Sequence, residues 1–189
     1  MELKQTKHKV RTIDMVQVAF MAAIVYVATA MINVPVGIGY KGVVHLGDSM
    51  VFLAAVLLGK KKAALAAAIG MSLFDLLSPY SIWAPYTFFI KGIMAYIAAV
   101  IAYRGNYKGE NIVNNIFAFI VAGIWMNIGY FIAGIFVQHF YTNVPLNQAI
   151  IIQSTHMPGD IAQVIVGILI AVPISEMLRR SNIKKIINK

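Results

Sequence analysis

Asp48, Asp75 and Lys91 are three ionisable groups in sequence that otherwise belongs in lipid, within the stretch from His45 to Gly92. A charged side chain at the centre of a bilayer costs about 2.5 to 3.5 kcal/mol on insertion scales, so charges gathered in apolar helices face a polar interior and usually serve a task. An amine and carboxylates at such depth have two uses: they pair with one another, or they hold a polar molecule. Lys91 either pairs with Asp75 or Asp160 or contacts an anionic or polar part of a ligand. The elements that carry these groups decide what they surround.

The chain has 189 residues, of which 60% are hydrophobic and 12% charged. Its mean hydropathy is +0.76. An average soluble domain is roughly 45 to 50% apolar, so this composition is that of an integral membrane protein. A crossing needs about 20 residues, and the length accommodates about six with short loops. Apolar segments run over residues 13–34, 46–58, 63–77, 82–103, 112–137 and 157–178. The expected fold is therefore all-α, a single bundle of six transmembrane helices. There are no cysteines, which removes disulfides, thiolate metal sites and cysteine nucleophiles.

Fourteen of the sixteen basic residues fall on alternate connections: Lys4, Lys7, Lys9 and Arg11; Lys60 to Lys62; Arg104 and Lys108; Arg179, Arg180, Lys184, Lys185 and Lys189. By the positive-inside rule these connections and both termini are cytoplasmic. The net charge of +9 is then explained by topology and contact with anionic lipid, and nucleic acid is not an expected partner. A basic start followed by an apolar run ending Ala28-Thr29-Ala30 imitates a secretory signal. The run exceeds the 7 to 15 residues of a signal core, and its removal would upset the loop parity.

The three outer connections, residues 35–45, 78–81 and 138–156, carry one basic residue, Lys41, and are rich in Gly, Pro, Tyr and Asn. The run from Pro35 to Gly42 cannot be helical, and the apolar run after Asp48 is too short to span about 30 Å. The second helix is thus expected to begin below the outer surface with the first loop dipping in above it, over a cavity open to the outside. Asp75, Lys91 and Asp160, the last expected to open the sixth helix, all fall in that outer half. Asp14 and Glu176 lie at inner helix ends, where solvated or headgroup roles suffice.

Helical spacing sharpens the outer site. His156, Asp160, Gln163 and Gly167 form one stripe on the sixth helix; Gly123, Asn127, Tyr130, Gly134 and Gln138 form another on the fifth; Thr87 and Lys91 share a face of the fourth. These stripes either glue the bundle by interhelical hydrogen bonds or line a pocket. Tyr40, Trp83, Tyr86, Trp125, Tyr130 and Tyr141 supply rings on the same side, although Trp83 and Tyr141 also suit an interfacial belt. A pocket of rings with a few polar groups fits a small flat heteroaromatic molecule. The expected ligand contacts are Asp48, Asp75, Lys91, Asn127 and Asp160, with Trp83, Tyr86 and Trp125 stacking. No metal or cofactor is expected.

Near the inner end of the first helix, Ala19 and Ala23 stand one turn apart and allow another helix to approach closely. No phosphate-binding G-x-x-x-x-G-K-[ST] loop is present, so ATP hydrolysis by that route would require another subunit. Neither H-E-x-x-H nor G-x-S-x-G occurs, which argues against a membrane enzyme built around His45, His139 and His156. A solitary proton-driven carrier using Asp75, Lys91 and Asp160 is the competing reading, weakened by the lack of inverted repeats.

With Ala19-x-x-x-Ala23, Val44-His-Leu-Gly-Asp48 and Ile90-Lys-Gly92 in six segments, the chain resembles the substrate-binding S components of energy-coupling factor (ECF) transporters. It looks most like the branch assigned to riboflavin-like, hydroxymethylpyrimidine and pyridoxine-type substrates. The resemblance implies a vitamin site on the outer side, under the first loop and among helices four to six. It also implies a membrane coupling subunit (T component) and two ATP-binding subunits as partners, with Ala19 and Ala23 packing on the coupling subunit. Release by toppling of the S component within a prokaryotic plasma membrane is a further implication.

Overall fold

The computed structural model describes residues 11–36 and 42–181. Lys4, Lys7, Lys9, Tyr40, Lys41, Lys184, Lys185 and Lys189 lie outside the described residues, as does the tip of the first outer connection. Within them the chain forms six helices: α1 Thr12–Met31, α2 Gly47–Leu58, α3 Lys60–Leu76, α4 Ala84–Ala102, α5 Ile112–Phe140 and α6 Leu146–Arg180. A single antiparallel hairpin, β1 Asn33–Val36 and β2 Gly42–His45, joins α1 to α2, with Asn33 opposite His45 and Val36 opposite Gly42. The all-α membrane bundle expected from composition is found, with this hairpin as its one departure.

Four helical stretches are long and apolar enough to cross a membrane: Thr12–Met31, Ser81–Ala102, Ile112–Phe140 and Leu146–Arg180. In lipid the backbone must satisfy its own hydrogen bonds, which is why long apolar runs become helices. α2 has only 12 residues, about 18 Å, and every one of them except Met50 is buried. It is packed by α1, α3, α4 and α6 on its flanks, so a short helix is shielded from the lipid it could not span. Phe52 of α2 stacks on Phe119 of α5 with ring centroids 4.5 Å apart and fills the centre.

Small residues let the neighbours close in. Ala63, Ala66 and Ala67 of α3 and Ala95, Ala98, Ala99 and Ala102 of α4 are fully buried where these two helices pack. A single residue, Gly59, turns α2 into α3; its φ of +74° is a left-handed conformation that glycine adopts without a steric penalty. Lys60 to Lys62, expected in a connection, therefore form the first turn of α3.

Other boundaries move as well. α1 stops at Met31 because Asn33 already belongs to the hairpin. α6 begins at Leu146 rather than Met157, since the first helical bond, Ala149 N–H to the Pro145 carbonyl at 2.9 Å, closes there and the helix continues through Pro158 and Pro173. Asp160 is thus inside α6 and does not open it. Asp14 is paired with Lys62 at 3.2 Å, and Glu176 with Arg179 at 2.6 Å and Arg180 at 3.0 Å.

A Cβ placed on Gly70 would meet the backbone carbonyl of Ala22 at 2.5 Å, whereas on Gly92 it would meet the Ala68 methyl at 3.2 Å. Gly70→Ala must push α1 off α3 and is expected to lower stability by about 1 to 3 kcal/mol, with a smaller loss for Gly92→Ala. Thermal unfolding of the two purified variants in detergent checks that ranking.

Candidate functional site

The polar residues gather at the end of the bundle that carries the hairpin. Asp48 is the second residue of α2 and has no exposed surface, so its carboxylate needs partners from other helices. Lys91 of α4 supplies one, Nζ lying 2.5 Å from Oδ1, and Gln163 of α6 donates through Nε2 to Oδ2 at 2.6 Å. Nζ also lies 2.9 Å from Met126 Sδ and 5.3 Å from the centroid of the Tyr130 ring. Four helices therefore meet around one carboxylate. Gly167 makes the approach of α6 possible, since a Cβ there would stand 3.3 Å from both Asp48 Cβ and Phe52 Cε2.

The expected partners of Lys91 are Asp75, Asp160 or a polar part of a ligand. It pairs with Asp48 instead, because the short α2 places its first turn at the depth of Lys91, while Asp75 sits one residue from the end of α3. Asp75 is half-buried near the end of α3, and Thr87 Oγ1 of α4 lies 3.0 Å from the Tyr130 hydroxyl. The Thr87–Tyr130 contact ties α4 to α5. Asp160, half-buried on α6, lies within electrostatic reach of both Lys91 and Asp48.

The rings form a wall beside this contact. Trp83 packs against Tyr130 at 6.2 Å and Tyr86 at 6.4 Å between centroids. Tyr86 in turn packs on Phe136 at 6.1 Å, and Tyr141 packs on the same ring at 6.5 Å. Trp125 is tied to the backbone, donating from Nε1 to the Ile90 carbonyl at 3.1 Å, and so fixes the turn of α4 that carries Lys91. Asn127 donates from Nδ2 to the Gly123 carbonyl at 2.9 Å, leaving a buried Oδ1 with no protein partner. His45, at the foot of β2, likewise has a buried Nδ1 without a partner.

The expected stripes on α5 and α6 do face one another in part. A Cβ on Gly123 would strike Val164, and one on Gly134 would strike the Gln153 amide. Met126 was not foreseen; its only sequence signal is the i, i+4 spacing to Tyr130, which apolar packing explains equally well. Gln153, against Gly134, was missed for a different reason, since the connection expected there is helix.

α1 and α3 flank a groove of ≈ 940 Å³ that runs along most of their length, from Asp14 and Lys62 past Ala19, Ala23 and Leu65 to Val27 and Leu73. Ala19 and Ala23 are exposed along it. Lys62 holds the two helices together there, bonding to Asp14 Oδ1 at 3.2 Å and Gln17 Oε1 at 2.7 Å.

A sequence-family model described as "ECF-type riboflavin transporter, S component" matches residues 9–180. A search of curated proteins finds no match.

Removing one partner of a buried ion pair leaves an uncompensated charge, at a cost of about 3 to 5 kcal/mol, while removing both is often near neutral. Lys91→Met is thus expected to unfold at much lower temperature than the parent, and Asp48→Asn combined with Lys91→Met to regain most of the loss. Thermal unfolding of the single and double variants in the same detergent tests this coupling.

Proposed function

The chain belongs to the family of ECF-type riboflavin transporter S components, and from that premise we propose that it captures a small heteroaromatic vitamin from outside the cell and hands it to an ATP-driven partner module. The family is one of transporter substrate-binding components and not of enzymes. The family description makes riboflavin the first ligand to test. Hydroxymethylpyrimidine and pyridoxine, smaller rings of the branch that the sequence resembles, are the competing candidates.

The observation that carries the ligand reading is the wall of Trp83, Tyr86 and Tyr130 set against the Thr87–Tyr130 hydrogen bond, with the half-buried Asp75 and Asp160 and the unpartnered Asn127 Oδ1 on neighbouring turns. Aromatic faces beside fixed hydrogen-bonding groups suit a flat ring bearing polar substituents. Asp75, Trp83, Tyr86, Asn127 and Asp160 are assigned to the ligand directly. Asp48, Lys91 and Trp125 act from behind, holding α2, α4 and α5 in place. In this reading the hairpin end faces outward, both termini are cytoplasmic and the protein is a multi-pass component of the cell membrane.

ECF S components work with a T component and ATPases. The exposed Ala19 and Ala23 in the α1–α3 groove are assigned to the coupling subunit, because small side chains there admit a helix from the partner.

Purified protein is expected to quench riboflavin fluorescence on binding, and Trp83→Ala to weaken that binding about tenfold, in line with about 1 to 3 kcal/mol for a ring stacked on an aromatic side chain. Failure to bind riboflavin with retained binding of pyridoxine or hydroxymethylpyrimidine would reassign the substrate. Ala19→Leu with Ala23→Leu is expected to retain ligand binding while abolishing co-purification with the coupling subunit. Uptake by proteoliposomes holding only this protein and driven by a pH gradient would favour a solitary carrier instead.

A further inference from the structure

We infer that the groove between α1 and α3 holds one anionic phospholipid of the inner leaflet, its acyl chain along the groove and its phosphate at Lys61, and that the coupling subunit displaces it on docking. The displacement rests on the assignment of this groove to that subunit; the lipid site rests on the groove itself. Away from Asp14, Lys61 and Lys62 at one end, the lining of its ≈ 940 Å³ is apolar apart from the Tyr26 hydroxyl.

Gly70 lets α1 settle on α3 within the bundle, where a Cβ would meet the Ala22 carbonyl at 2.5 Å, and Lys62 ties the two helices at the lysine-bearing end. On the outer flank Ala19 and Ala23 offer only methyl groups, while Leu65, Ile69 and Leu73 stand exposed along the facing edge. The surface there is a furrow, and a furrow left empty in lipid forfeits dispersion contacts that a flexible acyl chain restores. Length agrees with that occupant. From Lys61 to Leu73 α3 rises about 18 Å. One leaflet's half of the hydrocarbon core is about 15 Å.

Charge selects the headgroup. Lys62 is engaged by Asp14 Oδ1 at 3.2 Å and Gln17 Oε1 at 2.7 Å, so the carboxylate that lines the groove is already neutralised. Lys61, beside it, is exposed and forms no ion pair among the described residues. Lys60 and Arg11 stand at the same helix ends. The sequence before α1 adds Lys4, Lys7 and Lys9 against one acid, Glu2, so this end keeps a positive balance wherever those side chains lie. Basic pockets between membrane helices at the cytoplasmic side attract anionic headgroups. An acyl chain over Ala19 and Ala23 covers the methyl groups on which a partner helix would pack, so lipid and coupling subunit exclude each other.

The test titrates the full chain in detergent with phosphatidylglycerol or phosphatidylcholine of the same acyl chains, read by native mass spectrometry. Phosphatidylglycerol is expected to be retained in preference, and Lys61→Ala to weaken it about fivefold, the effect of one cation near the surface. Ala23→Phe, which fills the furrow from an exposed position, is expected to remove the bound lipid, with thermal unfolding of both variants unchanged from the parent. The coupling subunit with its ATPases is then added to the protein in nanodiscs of either lipid. Assembly is expected to be weaker in phosphatidylglycerol, and less so for Lys61→Ala. Equal retention of the two lipids, or retention of phosphatidylglycerol unmoved by both variants, overturns the lipid site and leaves the docking assignment intact. Selective retention with assembly indifferent to the lipid overturns the displacement. The docking assignment fails by a different result, unimpaired assembly of Ala19→Leu with Ala23→Leu.

Discussion

A carboxylate that neither lipid nor an apolar core will tolerate alone sets the arrangement of this bundle. Asp48 needs Lys91 from α4 and Gln163 from α6, and Lys91 in turn rests on Met126 and Tyr130 of α5. A buried ion pair adds little net stability relative to an apolar replacement; its better-attested use is to fix register. Here it fixes the rotation of four helices at one depth. Thr87, one turn from Lys91, is thereby brought to Tyr130, and the aromatic wall follows from the same rotation.

The other half of the bundle is held by different physics. Alanines with no exposed surface line α3 and α4, and Gly70 lets α1 settle on α3, so backbones approach closely with hardly any polar contact. One end is therefore a polar assembly whose parts are individually costly, and the other a close-packed apolar block with an open groove on its flank. α1 runs the length between them, carrying Ala19 and Ala23 toward one end and the hairpin strand β1 at the other.

Much of this was legible in the sequence. The apolar runs and the alternating lysine clusters located the helices, although nothing in four residues such as Asn33 to Val36 announces a strand. Asp48, Asp75, Lys91 and Asp160 stood out because charge in lipid is conspicuous. What periodicity could not provide was pairing. Asp48 and Gln163 are 115 positions apart, and which helices touch is a property of the whole packing. The length of α6 was misjudged because residues 146–156 mix Asn, Gln, Ser and Thr with isoleucines, a pattern that reads as loop beside Pro158 but is helical once α5 offers Gly134 to Gln153.

The central pair also bears on how the chain is made. Synthesis runs from the N-terminus, so Asp48 leaves the ribosome 43 residues before Lys91 and 115 before Gln163. α2, with 12 residues and a carboxylate in its first turn, is a poor candidate to enter the membrane by itself. It has to wait at the insertion machinery or the interface until α4 brings the counter-ion, and it is finally enclosed when α6 arrives. At about 5 to 20 residues per second, that interval lasts several seconds for a chain of this length. During it the nascent protein carries a carboxylate that has yet to meet its counter-ion.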